Sequence, residues 1–244
     1  MAFWRLVYVV VLVVTSSACQ KLGLVKEYEY DERVELSLDR SAVVDINASV
    51  PALVALRGAT LDVDPEARFD RHAFRQLYQA PGVAVREVSA YRRHGRRFVH
   101  VRLDVSDIAE LQRLAPLSWS RYRLDRIERE FRFSQDVGPA AQLPIRDVGW
   151  TGDEMVAFRV HVPSRITFHN APGVERGNIL SWEQTLRDRL SGMPLRMEAR
   201  MGTQSILYRA LWLFGGTFVA AMALLAFIVW WVSRKGRRTI SEPF

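Results

Sequence analysis

Cysteine is almost missing from this 244-residue chain, which has one, Cys19. A single thiol excludes a disulfide-stapled scaffold and any zinc centre built on paired cysteines. Lysine is scarce too, at three positions against 31 arginines. That bias could mean anion recognition, but a codon preference is the simpler reading. Ten prolines and 14 glycines exclude collagen-like and low-complexity designs. With 49% hydrophobic and 25% charged residues, the chain is too apolar for a disordered protein.

Catalytic signatures are lacking as well. There is no Gly-x-Ser-x-Gly elbow and no phosphate-cradling or dinucleotide-binding glycine loop. The five histidines (His72, His94, His100, His161, His169) never reach H-x-H or H-x-x-x-H spacing. His161 and His169 are expected on one strand face among arginines, which reads as solvated rather than metal-binding. The carboxylate pairs Glu27/Glu29 and Asp62/Asp64 could in principle do acid–base work, but such pairs are common at strand edges and turns. Asn47-Ala48-Ser49 is a formal glycosylation sequon with no further support. No catalytic residue, metal site or cofactor is expected, and the chain reads as non-enzymatic.

The net charge of +7 would suggest nucleic acid until it is divided by region. Arg5 lies near the start, and Arg209, Arg234, Lys235, Arg237 and Arg238 flank an apolar run near the C-terminus. Between residues 20 and 208 there remain 28 basic against 26 acidic residues. No basic field is left to hold a phosphate backbone, so nucleic acid is not an expected partner.

What the chain does have is two apolar segments. Behind Arg5, Leu6 to Val14 is too short to span about 30 Å of hydrocarbon and reads as the core of a signal peptide over residues 1–18. Ser16 and Ala18 stand at −3 and −1 before Cys19, which suits cleavage. A cysteine at this place resembles a bacterial lipobox, which implies lipidation of Cys19, although Ser16 stands where that pattern has an aliphatic residue. Ordinary cleavage, or an uncleaved segment, is the alternative.

The second segment, Ala210 to Val232, runs 23 residues without an ionisable side chain, about 35 Å as a helix. It predicts a transmembrane helix over 207–233. Trp212 at one end and Trp230 and Trp231 at the other suit the headgroup level as interfacial anchors. Arg234, Lys235, Arg237 and Arg238 belong to a basic tail, 234–244, that the positive-inside bias keeps in the cytoplasm. Gly216 and Ala220 form a small-xxx-small pair of the kind frequent by chance. The expectation is a single-pass protein of a bacterial cytoplasmic membrane, with residues 19–206 extracytoplasmic.

That region is long enough for one well-buried domain. Tyr28, Tyr30, Val34, Leu36 and Leu38 share a parity, and Asp39-Arg40-Ser41 turns the chain into a second strand through Val44, Ile46 and Ala48. Asp64-Pro65 predicts a helix start, continued by Phe69, Ala73, Phe74, Leu77 and Tyr78 until Pro81-Gly82. A second hairpin is expected at His94-Gly95, then a short helix from Asp107 through Leu114, then one strand from Tyr122 to Phe133. Residues 137–153, broken by glycines and prolines, predict a loop, either functional or a plain linker between subdomains. Beyond it Val156, Phe158, Val160, Val162, Ile166 and Phe168 share one parity, and Leu195, Met197, Ala199 and Met201 another. The order predicts an α+β domain with a largely antiparallel sheet and two or three short helices.

The run FRVHVPSRITFHNAPGVERGNILSWEQTL…PLRMEARM, followed by a span and a basic tail, resembles the LppM-like family of bacterial exported proteins. The matching positions are Pro163, Asn170, Asn178 and Trp182, over about 90 residues. The resemblance implies a membrane-anchored extracytoplasmic α+β domain that binds hydrophobic or lipid-like ligands.

From Met201 to Ala210 the tether reaches at most about 30 Å, so the domain is expected beside the bilayer. The reading is a non-enzymatic binding module for membrane lipid, glycolipid or another apolar ligand, in a groove between sheet and helices. Trp119, Trp150 and Trp182 could line such a groove or simply fill the core. The alternatives are an interaction or assembly subunit docking on a membrane-protein partner and, third, an envelope hydrolase without a recognisable catalytic set.

Overall fold

The alternating segments become strands largely where their spacing places them. In the computed structural model, which describes residues 26–236, β1 (Tyr28–Leu36) and β2 (Ala42–Ser49) form an antiparallel hairpin with Leu36 opposite Ala42. The chain then enters a helix that periodicity does not reveal, α1 (Val50–Arg57). Ser49 Oγ accepts from the Ala52 amide at 3.1 Å, and Gly58 at φ 71° ends the helix in the left-handed region. All eight of its residues are buried, so its sequence VPALVALR has no polar face to mark a period.

Asp64 does not start the next helix. Its carboxylate accepts from the Glu66 amide at 2.9 Å in a local turn, and α2 (Arg71–Leu77) opens under Asp70, which accepts from His72 and Ala73. β3 (Val83–Arg93) and β4 (Arg96–Val105) then turn at His94-Gly95, both at positive φ. Val99, Val101, Leu103 and Val105 of β4 are buried as their alternation predicts. The short helix expected after Asp107 is a 3-10 turn, Ile108–Arg113, capped by Asp107 on the Ala109 amide.

The single strand expected from Tyr122 to Phe133 is a hairpin of β5 (Ser120–Ile127) and β6 (Glu130–Val137). Its turn carries Glu128 at φ 53° and no glycine, proline or asparagine, so the usual punctuation is missing. The later strands are β7 (Met155–His161), β8 (Ser164–His169), β9 (Gly173–Glu175), β10 (Ile179–Thr185) and β11 (Leu195–Ser205), with α3 (Leu186–Leu190) after β10.

The strands make two sheets. The larger runs β3-β4-β2-β1-β7-β10-β9 and the smaller β5-β6-β11-β8. Every pairing is antiparallel except β1 with β7. The apolar parity from Val156 to Phe168 is therefore cut at Pro163, where the chain passes from one sheet to the other. Phe168 is 46% exposed rather than inward, and His161 and His169, expected on one face, stand in different sheets. The facing sides of the sheets and α1 share one core, to which Val34, Ile46, Leu103, Leu56, Phe133, Phe158 and Met201 contribute. The class is α+β, as expected, but with two sheets.

Residues 138–154 carry neither helix nor strand, yet they are tied down. The amides of Ala141 and Gln142 donate to the carbonyls of Leu56 and Ala55, satisfying the C-terminal end of α1.

β11 passes into α4 (Ile206–Gly236) with no residue between. Leu211–Arg234 has a mean hydropathy of 2.2 and no buried residue; it is long and apolar enough to cross a bilayer. Trp212, Trp230 and Trp231 are exposed, and the Arg234 guanidinium lies 5.2 Å over the Trp230 ring. The signal peptide, Cys19, Arg237 and Arg238 lie outside the described residues.

Candidate functional site

Strand register brings one rim of the larger sheet to the place where the chain leaves for α4. Val83 pairs with Val105, Val105 with Ala42, and Ala42 with Leu36; next to it Glu35 pairs with His161, His161 with Ile179, and Ile179 with Glu175. These residues form one row across the seven strands. Because β1 and β7 are parallel, the β1–β2 turn stands at the same rim as the end of β7. From there Val162 and Pro163 lead to Ser164, which pairs with Ser205 and donates from Oγ to the Gln204 carbonyl at 2.6 Å. The exit rim thus holds the starts of β2 and β3, the ends of β4 and β7, and the last residues of β11. The tether from Met201 to Ala210, given a reach of at most about 30 Å when extended, is taken up by strand and helix.

A groove of 650 Å³ opens on this rim. Its walls mix hydroxyls (Ser37, Ser41, Ser106) with small apolar side chains (Ala42, Val43, Val83, Ala84, Val105). Gly82 forms part of the edge at φ 76°, and a Cβ there would come 2.7 Å from Ser106 Oγ. The Ser106 hydroxyl donates to the Gly82 carbonyl at 3.1 Å, while Ser41 Oγ donates to Asp39 at 2.7 Å. Asp104, also in the wall, is held by Arg86. Such a surface offers apolar contact area and a few hydroxyls, and no focused charge.

The opposite rim carries a second groove, of 510 Å³, lined among others by Lys26, Glu27, His94, Arg96 and Glu154. Its charged groups have partners, Lys26 in Glu183 outside the lining and the others close by. Arg96 lies 2.9 Å from Glu29 and 3.6 Å from Glu27, and His94 Nδ1 lies 3.2 Å from Glu27. Burial works against the ionised form of Glu154, but the amides of Thr151 and Gly152, donating at 2.9 and 2.8 Å, hold its carboxyl below the usual range. Glu27 and Glu29 therefore serve as partners for Arg96. Asp62 and Asp64, the other carboxylate pair, accept backbone amides in successive turns.

Between the sheets, a polar cluster sits inside the apolar core. Glu32, 1% exposed, accepts from the hydroxyls of Tyr30 (2.6 Å) and Tyr122 (2.7 Å) and from Gln135 (2.9 Å). The buried Arg57 faces it at 3.4 Å. Arg189, wholly buried, donates to the carbonyls of Gly138 and Met193 and to Gln184. Burial, with Arg57 adding a like charge, pulls its guanidinium down to about 10, so it stays protonated at neutral pH. Burial raises the phenols of Tyr30, Tyr78 and Tyr122 above their ordinary value.

One sequence signal could have revealed this cluster: Glu32 lies on the same parity as Tyr30, Val34 and Leu36, a carboxylate inside an apolar face. Trp119 and Trp150 are partly buried against the core and Trp182 is 2% exposed, so all three contribute to core packing.

The positions carrying the family resemblance are brought together. Asn170 Oδ1 accepts from Trp182 Nε1 at 3.1 Å and from the Glu198 amide at 2.9 Å, and its Nδ2 donates to Arg196 at 2.8 Å. Asn178 Nδ2 meets His161 Nε2 at 2.7 Å, and Pro163 lies at the crossing between sheets. These side chains lock β8, β10 and β11 together. No protein-family model and no curated protein matches the chain. Among solved structures, the chain is similar to the folded domain of LppM from Mycobacterium tuberculosis, seen by NMR, with 19% identity over 73% of this chain and 92% of that one and a TM-score of 0.39.

Proposed function

We propose that this chain is a single-pass membrane protein whose α+β domain stands outside the cytoplasm and holds a membrane lipid or another apolar ligand in the exit-rim groove, without catalysing a reaction. The unbroken passage of β11 into α4 carries this reading. It leaves the groove no slack to move away from the bilayer, and the groove walls suit a ligand that is mostly apolar with a few polar atoms. The cluster of Arg234, Lys235, Arg237 and Arg238 after the span orients the C-terminus to the cytoplasm.

The test is native mass spectrometry of the full chain released from micelles. Wild type should retain lipid, and Ala84→Trp, which fills the groove from an exposed edge-strand position, should retain severalfold less. Recovery of a protein partner with no lipid would sink the binding reading and favour a docking subunit.

A further inference from the structure

We propose that the arginines around the chain's exit, Arg126, Arg129, Arg165 and Arg176, engage the anionic headgroups of the leaflet in which α4 is rooted. The inference rests on the membrane placement proposed above and adds what the exit rim recognises there.

Register places these arginines. Glu130 pairs with Gly202, four residues before the start of α4, which sets the β5–β6 turn with Arg126 and Arg129 beside the exit. On the other flank Ser164 pairs with Ser205, so Arg165 follows directly. Arg176 occupies the β9–β10 turn, which the Val162 amide pins at 2.9 Å through the Asn178 carbonyl. All four arginines are exposed. None has an ion-pair partner among the described residues, whereas the carboxylates further along are taken: Glu175 lies 3.7 Å from Arg159, and Glu198 lies 2.9 Å from Arg132. Glu128 and Glu130 offset part of the charge, leaving a positive surplus. Ile127 and Val174, each 48% exposed, interleave apolar surface with it.

Distance decides the partner. Four residues, 206–209, separate β11 from the apolar run, a rise of about 6 Å in a helix. The headgroup layer is itself about 5–7 Å thick on each side, and salt screens over about 8 Å. The exit rim therefore lies within reach of headgroup charge. Basic side chains with neighbouring apolar ones form the usual interfacial pairing.

Hydrogen exchange on the full chain in nanodiscs tests this, with phosphatidylcholine alone or with about a third phosphatidylglycerol. At about threefold to fivefold per engaged arginine, amides of the β5–β6 and β9–β10 turns should exchange several-fold more slowly in the anionic discs. The His94-Gly95 turn on the opposite rim should not change. Arg129→Glu/Arg165→Glu/Arg176→Glu, all at exposed positions, should abolish the difference while leaving the opposite rim as it was. Equal protection in both discs, relative to micelles, would overturn headgroup recognition and leave the membrane placement standing. No protection in either would overturn both.

Discussion

The guanidinium of Arg57 lies 3.1 Å from the centre of the Trp119 ring, and the guanidinium of Arg189 lies 4.9 Å from the same ring. Two buried cations thus share one indole, but only Arg57 meets a carboxylate, Glu32, while Arg189 donates to the carbonyls of Gly138 and Met193 and to Gln184. Cation–π attraction strengthens when the charge is desolvated, which helps explain how the interior tolerates this imbalance.

Removing the carboxylate should be severe. Glu32→Leu leaves Arg57 buried and unpaired, and a loss of about 3–5 kcal/mol is expected. The joint replacement Glu32→Leu/Arg57→Met should recover much of it, because no orphaned charge remains. Denaturant unfolding of the four members of this cycle, followed by tryptophan fluorescence, measures both effects; additive losses would show that the pair is not coupled.

The three buried phenols predict an alkaline limit. With folded values raised above 10, Tyr30, Tyr78 and Tyr122 keep their protons where the unfolded chain loses them. Stability is intact below pH 10 and falls above it, by about 1.4 kcal/mol per pH unit for each tyrosine. Phenolate absorbance should rise together with loss of tertiary signal; ionisation of all the tyrosines before unfolding would contradict it.

Loop 138–154 should loosen on the acid side. Glu154 holds the Thr151 and Gly152 amides as a carboxylate, so this anchoring is complete above the ordinary carboxyl range and is lost as pH falls through the depressed folded value. Glu154→Gln should reproduce the effect at neutral pH, seen as faster proteolytic nicking within residues 142–150 while the sheets stay protected.

Gly138 should not accept a side chain. Its added Cβ would come 2.6 Å from the Trp119 carbonyl, and its own carbonyl receives Arg189 at 2.5 Å. Gly138→Ala should cost about 2–3 kcal/mol, read as a fall in melting temperature. Gly95→Ala, with open space around it, should show only the smaller penalty of its φ of 70°.

Topology gives a fifth test. A reporter fused after Phe244 should be active only in the cytoplasm, and palmitate should label Cys19 in wild type but not in Cys19→Ala.

Much of the larger sheet was legible locally. The alternation of β1, β2, β4 and β7 and the turn at His94-Gly95 follow from residues within a few positions of one another, as does the exposed apolar helix. The β5–β6 turn was not, since Glu128 enters the left-handed region without the residues that usually mark it. Nor was α1, whose complete burial erases the contrast that makes a helix readable. The candidate groove was invisible too: its walls come from β1–β2, β3 and β4, and no short motif joins them.

By itself the sequence determined the local period of each strand, the composition of the membrane-length helix and the charge that follows it, because these depend on neighbours along the chain. Only the tertiary structure decided that Glu32 meets Arg57, Tyr122 and Gln135, which lie 25, 90 and 103 residues away, and that the groove stands on the rim where α4 begins. The physical reason is that a parallel β1–β7 pairing and a crossing at Pro163 set which strand ends share a rim, and those pairings are chosen by burial across the whole domain.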